Sequence, residues 1–260
     1  MAQLQLTGVS KTFVSRSGVV EALQPTTVHV GHAELVSIVG PSGCGKSTLF
    51  NIAAGLLAPS AGEVRIDGVD VTGQRGRVGY MLQKDLLLPW RTVLDNIILG
   101  LEVKRVPKRD ARARVQPYLE RYGLDGFEHH YPSQLSGGMR QRAALMRTLL
   151  AEPEIVLLDE PFGALDAQTR SLMQEWLLAV KSEFEKTILL VTHDVDEAVL
   201  LSDRIHVMTV RPGRLKQTIE VDLPRPRDID MVTTPAFVAI KAEVLRGLRD
   251  ETRRAFRLGA

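Results

Sequence analysis

Short, uninterrupted apolar runs recur along the chain and alternate with segments of helical character. The runs are Leu35 to Val39, Val78 to Leu82, Ile155 to Leu158, Ile188 to Val191 and Ile205 to Val210. Runs of this length without an apolar–polar alternation are typical of strands that are buried on both faces of a parallel sheet. The pattern therefore predicts an α/β fold.

The segments between these runs predict further elements. A helix is expected from about Lys46 to Leu57. A segment of helical character, roughly Asp85 to Ala151, interrupts the strands and is expected to form its own subdomain. The N-terminal sequence MAQLQLTGVS alternates apolar and polar residues like an edge strand.

The last part of the chain, 211–260, reads as a tail. Proline and glycine mark turns at its start, and a final amphipathic helix is expected from Pro235 onward. The apolar face of that helix is predicted to hold Phe237, Ile240, Val244, Leu245 and Leu248.

Composition and charge narrow the class of protein. With 260 residues, 44% of them hydrophobic, the chain can bury a core. No apolar run reaches the roughly 18 residues of a membrane-spanning helix, and the N-terminus lacks a signal-peptide core. A net charge of +2 without a basic stripe argues against a nucleic-acid partner. Because Cys44 is the single cysteine, an intrachain disulfide is excluded. A soluble cytosolic protein is expected.

The stretch GPSGCGKST follows the first apolar run and carries a phosphate-binding pattern. Gly40, Gly45, Lys46 and Ser47 fit G-x-x-x-x-G-K-[ST] between a strand and a helix. In such a loop, backbone N–H groups curl around the phosphates, the lysine adds a cation and the serine hydroxyl is a ligand for Mg²⁺. The sequence predicts that the chain binds a nucleoside triphosphate. The remaining loop residues assigned to the nucleotide are Pro41, Ser42, Gly43, Cys44 and Thr48.

Polar side chains follow three other predicted strands. The run IVLLDE brings Asp159 and Glu160 to the carboxyl end of a strand, where ligands bind in open α/β sheets. We expect Asp159 to hold Mg²⁺ and Glu160 to polarise the attacking water. Gln83 and His193 follow the ends of two other predicted strands. Gln83 is expected to contact both the metal and the water, and His193 is expected to bond the γ-phosphate.

A second sequence suited to an anion, LSGGMRQR, begins about ninety residues further on. Ser136 can cap the helix that follows or donate to a phosphate oxygen, and Gly137 and Gly138 allow close approach of a backbone. A protein with one phosphate loop does not need a second within the same site, so this stretch requires an explanation of its own.

The order and spacing of GPSGCGKST, Gln83, LSGGMRQR, IVLLDE, GALD and His193 resemble the ATPase subunit of an ABC transporter. The resemblance implies a P-loop NTPase core of the RecA-like type, formed by 1–84 and 152–210. It further implies an N-terminal antiparallel β subdomain and an inserted α-helical subdomain over 85–151, all within a single ATPase domain.

The resemblance also explains the second anion site. In that family two subunits meet head to tail, so Ser136, Gly137, Gly138 and Gln141 of one subunit are expected to complete the ATP site of the other.

The resemblance assigns roles to other residues too. Asp166 matches an acidic residue in a loop at the dimer interface. Phe13 matches the aromatic that stacks on adenine, with a core phenylalanine as the alternative. The family more often has serine where this chain has Gly163. Alkylation of Cys44 is expected to block turnover of ATP.

The segment DLLLPWRTVLDNI, just after Gln83, carries an apolar patch with two interpretations. Leu87, Leu88 and Trp90, together with Leu86, either pack inside the helical subdomain or form a docking site for a membrane permease. The segment and the tail RPGRLKQTIEVDLPRPR resemble the importer branch for nitrate, sulfonates and taurine. That branch implies a separate permease, an extracytoplasmic binding protein and a peripheral location at the cytoplasmic membrane face.

The sequence also bears on two other classes of protein. A GTPase would need Asn-Lys-x-Asp, but both asparagines, Asn51 and Asn96, are followed by isoleucine. An ABC protein that exports solutes or handles lipids remains the alternative to an importer.

Overall fold

Two β-sheets and eight α-helices organise residues 3–15 and 18–257, which are the residues described by the computed structural model of the chain. The strands are β1 Leu4–Ser15, β2 Gly18–Val30, β3 Leu35–Val39, β4 Ala61–Ile66, β5 Val69–Asp70, β6 Gly79–Met81, β7 Ile155–Asp159, β8 Thr187–Val191, β9 Arg204–Met208 and β10 Leu215–Glu220. The helices are α1 Lys46–Ala53, α2 Val93–Ile97, α3 Leu99–Val103, α4 Lys108–Arg121, α5 Gly137–Leu149, α6 Ala167–Phe184, α7 Val195–Leu201 and α8 Pro235–Arg257.

The larger sheet has the strand order β10-β9-β3-β8-β7-β6. All its pairs are parallel except β9 with β10. Every residue of β3, β7 and β8 is buried, as the uninterrupted apolar runs predict. The α/β fold is thereby confirmed. The predicted run Ile205 to Val210 extends too far, because β9 ends at Met208. The Thr209 N–H donates instead to the carbonyl of Arg214.

The smaller sheet is antiparallel, with the order β2-β1-β4-β5. The prediction of an N-terminal edge strand is wrong, because β1 lies between β2 and β4 and hydrogen-bonds to both. Leu4, Leu6 and Val9 of β1 are fully buried. The first two residues of the predicted strand lie outside the described part of the chain.

Helix α1 ends at Ala53, earlier than the predicted Leu57. Gly55 ends it, with a φ of +69° and its α-carbon so close to the loop at Gln74 that a β-carbon would lie 2.2 Å from the Gln74 carbonyl oxygen. Between β6 and β7 the chain forms α2 to α5, and their apolar faces join the buried residues of β7 and β8 in one cluster. None of the helices in the described ranges combines the length and the apolar character needed to cross a membrane.

Helix α8 begins at Pro235, as predicted, and packs against α7, β9 and β10. Phe237 and Val244 are fully buried and Ile240 and Leu248 are partly buried. The placement of Leu245 on the buried face is wrong, since 46% of it is exposed. One turn beyond Leu248, the inward-facing position is occupied by Glu251. Its carboxylate accepts the Val210 N–H at 3.1 Å and pairs with Lys216 at 3.0 Å.

Candidate nucleotide-binding and catalytic site

The loop between β3 and α1 curls around its own lysine. The Lys46 ammonium donates to the carbonyl oxygens of Gly40 at 2.7 Å and Pro41 at 2.9 Å. Gly45 is the N-cap of α1, with a φ of +101°, and a β-carbon there would lie 2.9 Å from the Ala22 carbonyl oxygen. Glycine is therefore required at this turn, and the loop leads the N-terminus of α1 into the site.

A cavity of about 380 Å³ opens over this loop. Its floor is formed by Ser42 to Thr48, and Asp159, Glu160 and Gln83 contribute polar walls. Phe13 also lines the cavity and is 42% exposed, with the Lys11 ammonium 5.4 Å from its ring centre. An exposed aromatic at the rim of a polar cavity is suited to stacking on a planar ligand.

Ser47 and Asp159 bring oxygen ligands together at the base of the cavity. The Ser47 hydroxyl donates to Asp159 Oδ2 at 3.2 Å. Burial raises the pKa of Asp159, the bond from Ser47 opposes that rise, Glu160 adds to it and Lys46 lowers it. A hydroxyl, a carboxylate and the nearby Gln83 amide fit a hard cation such as Mg²⁺, which takes its other ligands from phosphate and water. The residues that the structure describes contain no cluster of three or more His, Cys, Asp or Glu for a metal held by protein alone.

Three strand ends converge on the carboxylate of Glu160. Its Oε2 accepts the Gln83 side-chain amide at 2.9 Å and lies 3.4 Å from Nδ1 of His193. Glu160 has a φ of +50°, and its N–H bonds the carbonyl of Val191 at 2.8 Å. Left-handed backbone at a non-glycine residue costs roughly 1 kcal/mol or more and is concentrated at functional sites. The arrangement places a hydrogen-bonded carboxylate at the edge of the cavity that the phosphate loop forms.

Ser136 and Gly137 lie on the surface and contribute nothing to the walls of that cavity. Ser136 is the N-cap of α5, and its hydroxyl accepts the Met139 N–H at 3.2 Å. Apart from its chain neighbours and the backbone of its own helix, a β-carbon on Gly137 would meet no atom nearer than Nη2 of Arg140 at 3.9 Å. Gly138 is closer packed, against Leu165. The start of α5 is thus an uncovered helix N-terminus, separate from the nucleotide cavity of its own chain.

Two residues predicted for the site do not lie as expected, and a third, Cys44, lines the cavity as predicted but is buried. Gln141 is 4% exposed and approaches the backbone carbonyl of its own Glu160 at 3.5 Å, because one further turn of α5 points it inward. It therefore cannot face a partner in this conformation. Leu87 is 7% exposed and belongs to the apolar core, so it cannot take part in docking. The Cys44 side chain is 1% exposed, so alkylation requires the loop to open.

Asp166 caps a helix, a role that the sequence pattern did not suggest. It is exposed at the N-terminus of α6, and its Oδ1 accepts the Thr169 N–H at 3.0 Å. That hydrogen bonding holds the pKa of Asp166 below its usual value. At the neighbouring Gly163, a β-carbon would lie 3.6 Å from the Glu160 carbonyl oxygen, which is an ordinary contact. Packing therefore does not require glycine rather than serine at position 163.

Arg211 is a wall residue that sequence reasoning missed. It lines the cavity and its Nε donates to the Gly43 carbonyl at 3.3 Å. It follows β9, which pairs with β3, and so reaches the phosphate loop from a distant part of the sequence. No motif surrounds it, and only knowledge of the strand order could have found it.

The segment that follows Gln83 is bonded to α5 through two arginine side chains. Asp85 pairs with Arg140 at 3.1 Å, and Arg147 donates to the backbone carbonyls of Asp85 and Leu86 at 2.6 and 2.8 Å. Beyond these bonds, Leu86 is 52% and Trp90 72% exposed, and Leu88 is partly buried. The segment is therefore bonded to α5, the helix whose N-cap is Ser136, and it directly follows Gln83.

The fold and the cavity define a P-loop nucleotide-binding protein of the α/β class. The family model described as ABC transporter matches residues 23–163. An uncharacterized ABC transporter ATP-binding protein of Methanocaldococcus jannaschii is 46% identical over 249 residues, which cover 96% of this chain and 92% of that protein. The aliphatic sulfonates import ATP-binding protein SsuB of Bacillus cereus is 43% identical over 243 residues, covering 94% of each. The chain belongs to the ABC transporter family and is an ATPase of that family.

Solved structures agree with this assignment. The ABC transporter cassette MJ0796, determined as a dimer, is 32% identical, with a TM-score of 0.78 over 85% of this chain and 100% of that one. A dimeric post-hydrolysis state of the same cassette, bound to ADP and Pi, gives a TM-score of 0.77.

Proposed function

We propose that this chain powers the import of a small solute of the sulfonate, taurine or nitrate class by hydrolysing ATP on the cytoplasmic face of the membrane. The observation that carries the ATPase mechanism is the convergence of Gln83 and His193 on the Glu160 carboxylate, beside the Ser47–Asp159 pair. The import direction and the solute class draw support from the sulfonate-import relative, at 43% identity.

Each group around the cavity then has a chemical role. Phe13 stacks on adenine, and the N–H groups of the loop and Lys46 bind the β- and γ-phosphates. Ser47, Asp159 and Gln83 hold Mg²⁺, which, when bound, offsets the charge of the phosphates.

Glu160 orients the attacking water and accepts its proton, since its carboxylate lies at the cavity edge with Oε2 fixed by Gln83. His193 bonds the γ-phosphate, and the exposure of its side chain 3.4 Å from Glu160 supports that role.

The uncovered start of α5 acts on a second copy of the chain. Ser136, Gly137 and Gly138 close over the γ-phosphate that the partner's loop holds, in a head-to-tail dimer. The exposure of Ser136 and Gly137, and the absence of all three residues from the walls of their own chain's cavity, support this assignment. ATP binding and dimer closure are then linked, so each strengthens the other by the same free energy.

A membrane permease docks on the exposed Leu86 and Trp90, with Leu88 at the margin. An exposed tryptophan is a frequent anchor in protein interfaces. The bonds from Arg140 and Arg147 to this segment couple the permease to α5, and Gln83 couples it to Glu160. An extracytoplasmic binding protein delivers the solute to the permease.

The test is reconstitution with the cognate permease. ATPase activity in liposomes is measured with the matching binding protein, with and without an aliphatic sulfonate, taurine or nitrate. We expect one of these solutes, only together with the binding protein, to raise the rate. Stimulation by lipid without any binding protein would contradict import and support the exporter or lipid-handling alternative.

A further inference from the structure

An acidic side chain lies in the protein interior behind Glu160 and His193. Glu197, in the first turn of α7, is 5% exposed. Its N–H donates to Asp194 Oδ1 at 3.2 Å, and its carboxyl is hydrogen-bonded by Thr192. The second carboxyl oxygen, Oε1, is buried without a hydrogen-bond partner in the described part of the chain. A buried ionised carboxylate with an unpaired oxygen is costly, so this environment favours the neutral acid.

The same side chain borders a small cavity shared with the catalytic carboxylate. The cavity measures about 20 Å³, which is enough for one water molecule, and its walls include Glu160, Gly163, His193 and Glu197. Glu197 is therefore part of the wall that supports the turn from β8 to α7, and this turn carries His193.

The charges around Glu197 oppose its ionisation. The charged and titratable groups that face it are Asp194 and His193 from its own turn, Arg170 from α6 and Glu160 from the end of β7. The cation among them, Arg170, lies 3.6 Å from Asp194 and is shared with it. Burial, with further contributions from Asp194 and Glu160, raises the pKa of Glu197 to about 8, against the hydrogen bond from Thr192 and the charge of Arg170.

We propose that Glu197 is a positioning residue for ATP hydrolysis, and that its neutral form holds the His193 turn against Glu160. Ionisation would set a third carboxylate beside Asp194 and Glu160 and draw Arg170 away from the N-cap of α7. His193 would then leave Glu160, and the chemical step would slow while ATP binding at the loop stayed intact. The proposal rests on the role given above to Glu160.

The test is the pH profile of kcat at saturating ATP for the wild type, Glu197→Gln and Asp196→Asn. Glutamine reproduces the shape of the neutral acid and cannot ionise. We expect wild-type kcat to fall about tenfold from about pH 7 to about pH 9, with a midpoint near 8 and an unchanged KM for ATP. Glu197→Gln keeps most of the activity at about pH 7 and lacks this decline. Asp196, a half-exposed neighbour bonded to Lys241 at 2.8 Å, is the control, and its variant follows the wild type.

Three results would overturn the proposal: a Glu197→Gln profile with the wild-type decline, a Glu197→Gln enzyme without activity at neutral pH, or a wild-type profile that stays flat. ¹³C NMR of labelled glutamate carboxyls gives a second readout, since a resonance that titrates near 8 should vanish in Glu197→Gln. Hydrolysis by a Glu160→Gln variant would instead refute the proposed base, and so separates the two failures.

Discussion

The side-chain amide of Gln83 lies 2.9 Å from Oε2 of Glu160, so the end of β6 is bonded directly to the carboxylate that follows β7. Two residues beyond Gln83, Asp85 pairs with Arg140 of α5. One short segment therefore contacts both the proposed base and α5, the helix whose start is proposed to contact a partner subunit. Under the proposed function, a permease docked on this segment sets the position of the base.

Replacing Gln83 with alanine should slow hydrolysis without weakening nucleotide binding. Loss of the amide leaves Glu160 without the donor that fixes its Oε2, while the phosphate loop is untouched. We expect kcat to fall about tenfold or more, and the Kd for ATP measured without Mg²⁺, for which Gln83 is a proposed ligand, to stay within about twofold. Gln116→Ala, at an exposed glutamine of α4, is the control and should behave as the wild type. A Gln83→Ala enzyme with normal kcat would show that the contact has no part in the reaction.

Alanine substitutions at the adjacent residues Leu86 and Leu87 distinguish a role in docking from a role in core packing. Leu87→Ala should cost about 2–5 kcal/mol in the free energy of unfolding, because it empties a buried position. Leu86→Ala, at a 52% exposed side chain, should leave stability and basal ATPase activity within error but reduce stimulation by the permease. Urea denaturation and the reconstituted ATPase assay measure the two effects. Equal stimulation of Leu86→Ala and wild type would remove Leu86 from the docking surface.

Gly137→Ala tests the close approach of a partner at α5. The fold has room for the added methyl group, so the free energy of unfolding should stay within about 1 kcal/mol of the wild type. Steady-state ATPase activity should nevertheless fall at least about tenfold, since the backbone here must approach the nucleotide of the other subunit. Full activity in a correctly folded variant would place the partner elsewhere.

Glu197→Gln should also change how stability depends on pH. The folded-state pKa of about 8 lies above the ordinary 4.5, so the wild type is destabilised as pH rises between these values, where only the unfolded chain ionises. The glutamine side chain of the variant does not titrate. The free energy of unfolding of Glu197→Gln, relative to that of the wild type, should therefore rise by about 3 kcal/mol from about pH 4.5 to about pH 7. Parallel stability curves for the two proteins would show that Glu197 is ionised in the native state.

Much of the fold follows from local pattern, because strands buried on both faces must be continuously apolar, and β3, β7 and β8 are. The polar residues at strand ends could be found for the same reason, since parallel strands present their ends at one edge. Burial of Gln141 and Leu87 could not be read locally, because it depends on which neighbours cover each side. Arg211 required the strand order, which short-range periodicity does not encode.

Two copies of this chain are proposed to share each bound ATP. Glu160→Gln should bind ATP but not hydrolyse it, and light scattering with ATP and Mg²⁺ should therefore show a dimer that is absent without nucleotide. Ser136→Arg, added to Glu160→Gln, should abolish the dimer, because the larger side chain blocks the exposed start of α5. A Glu160→Gln protein that binds ATP yet stays monomeric, alone and with its permease present, would contradict the shared site.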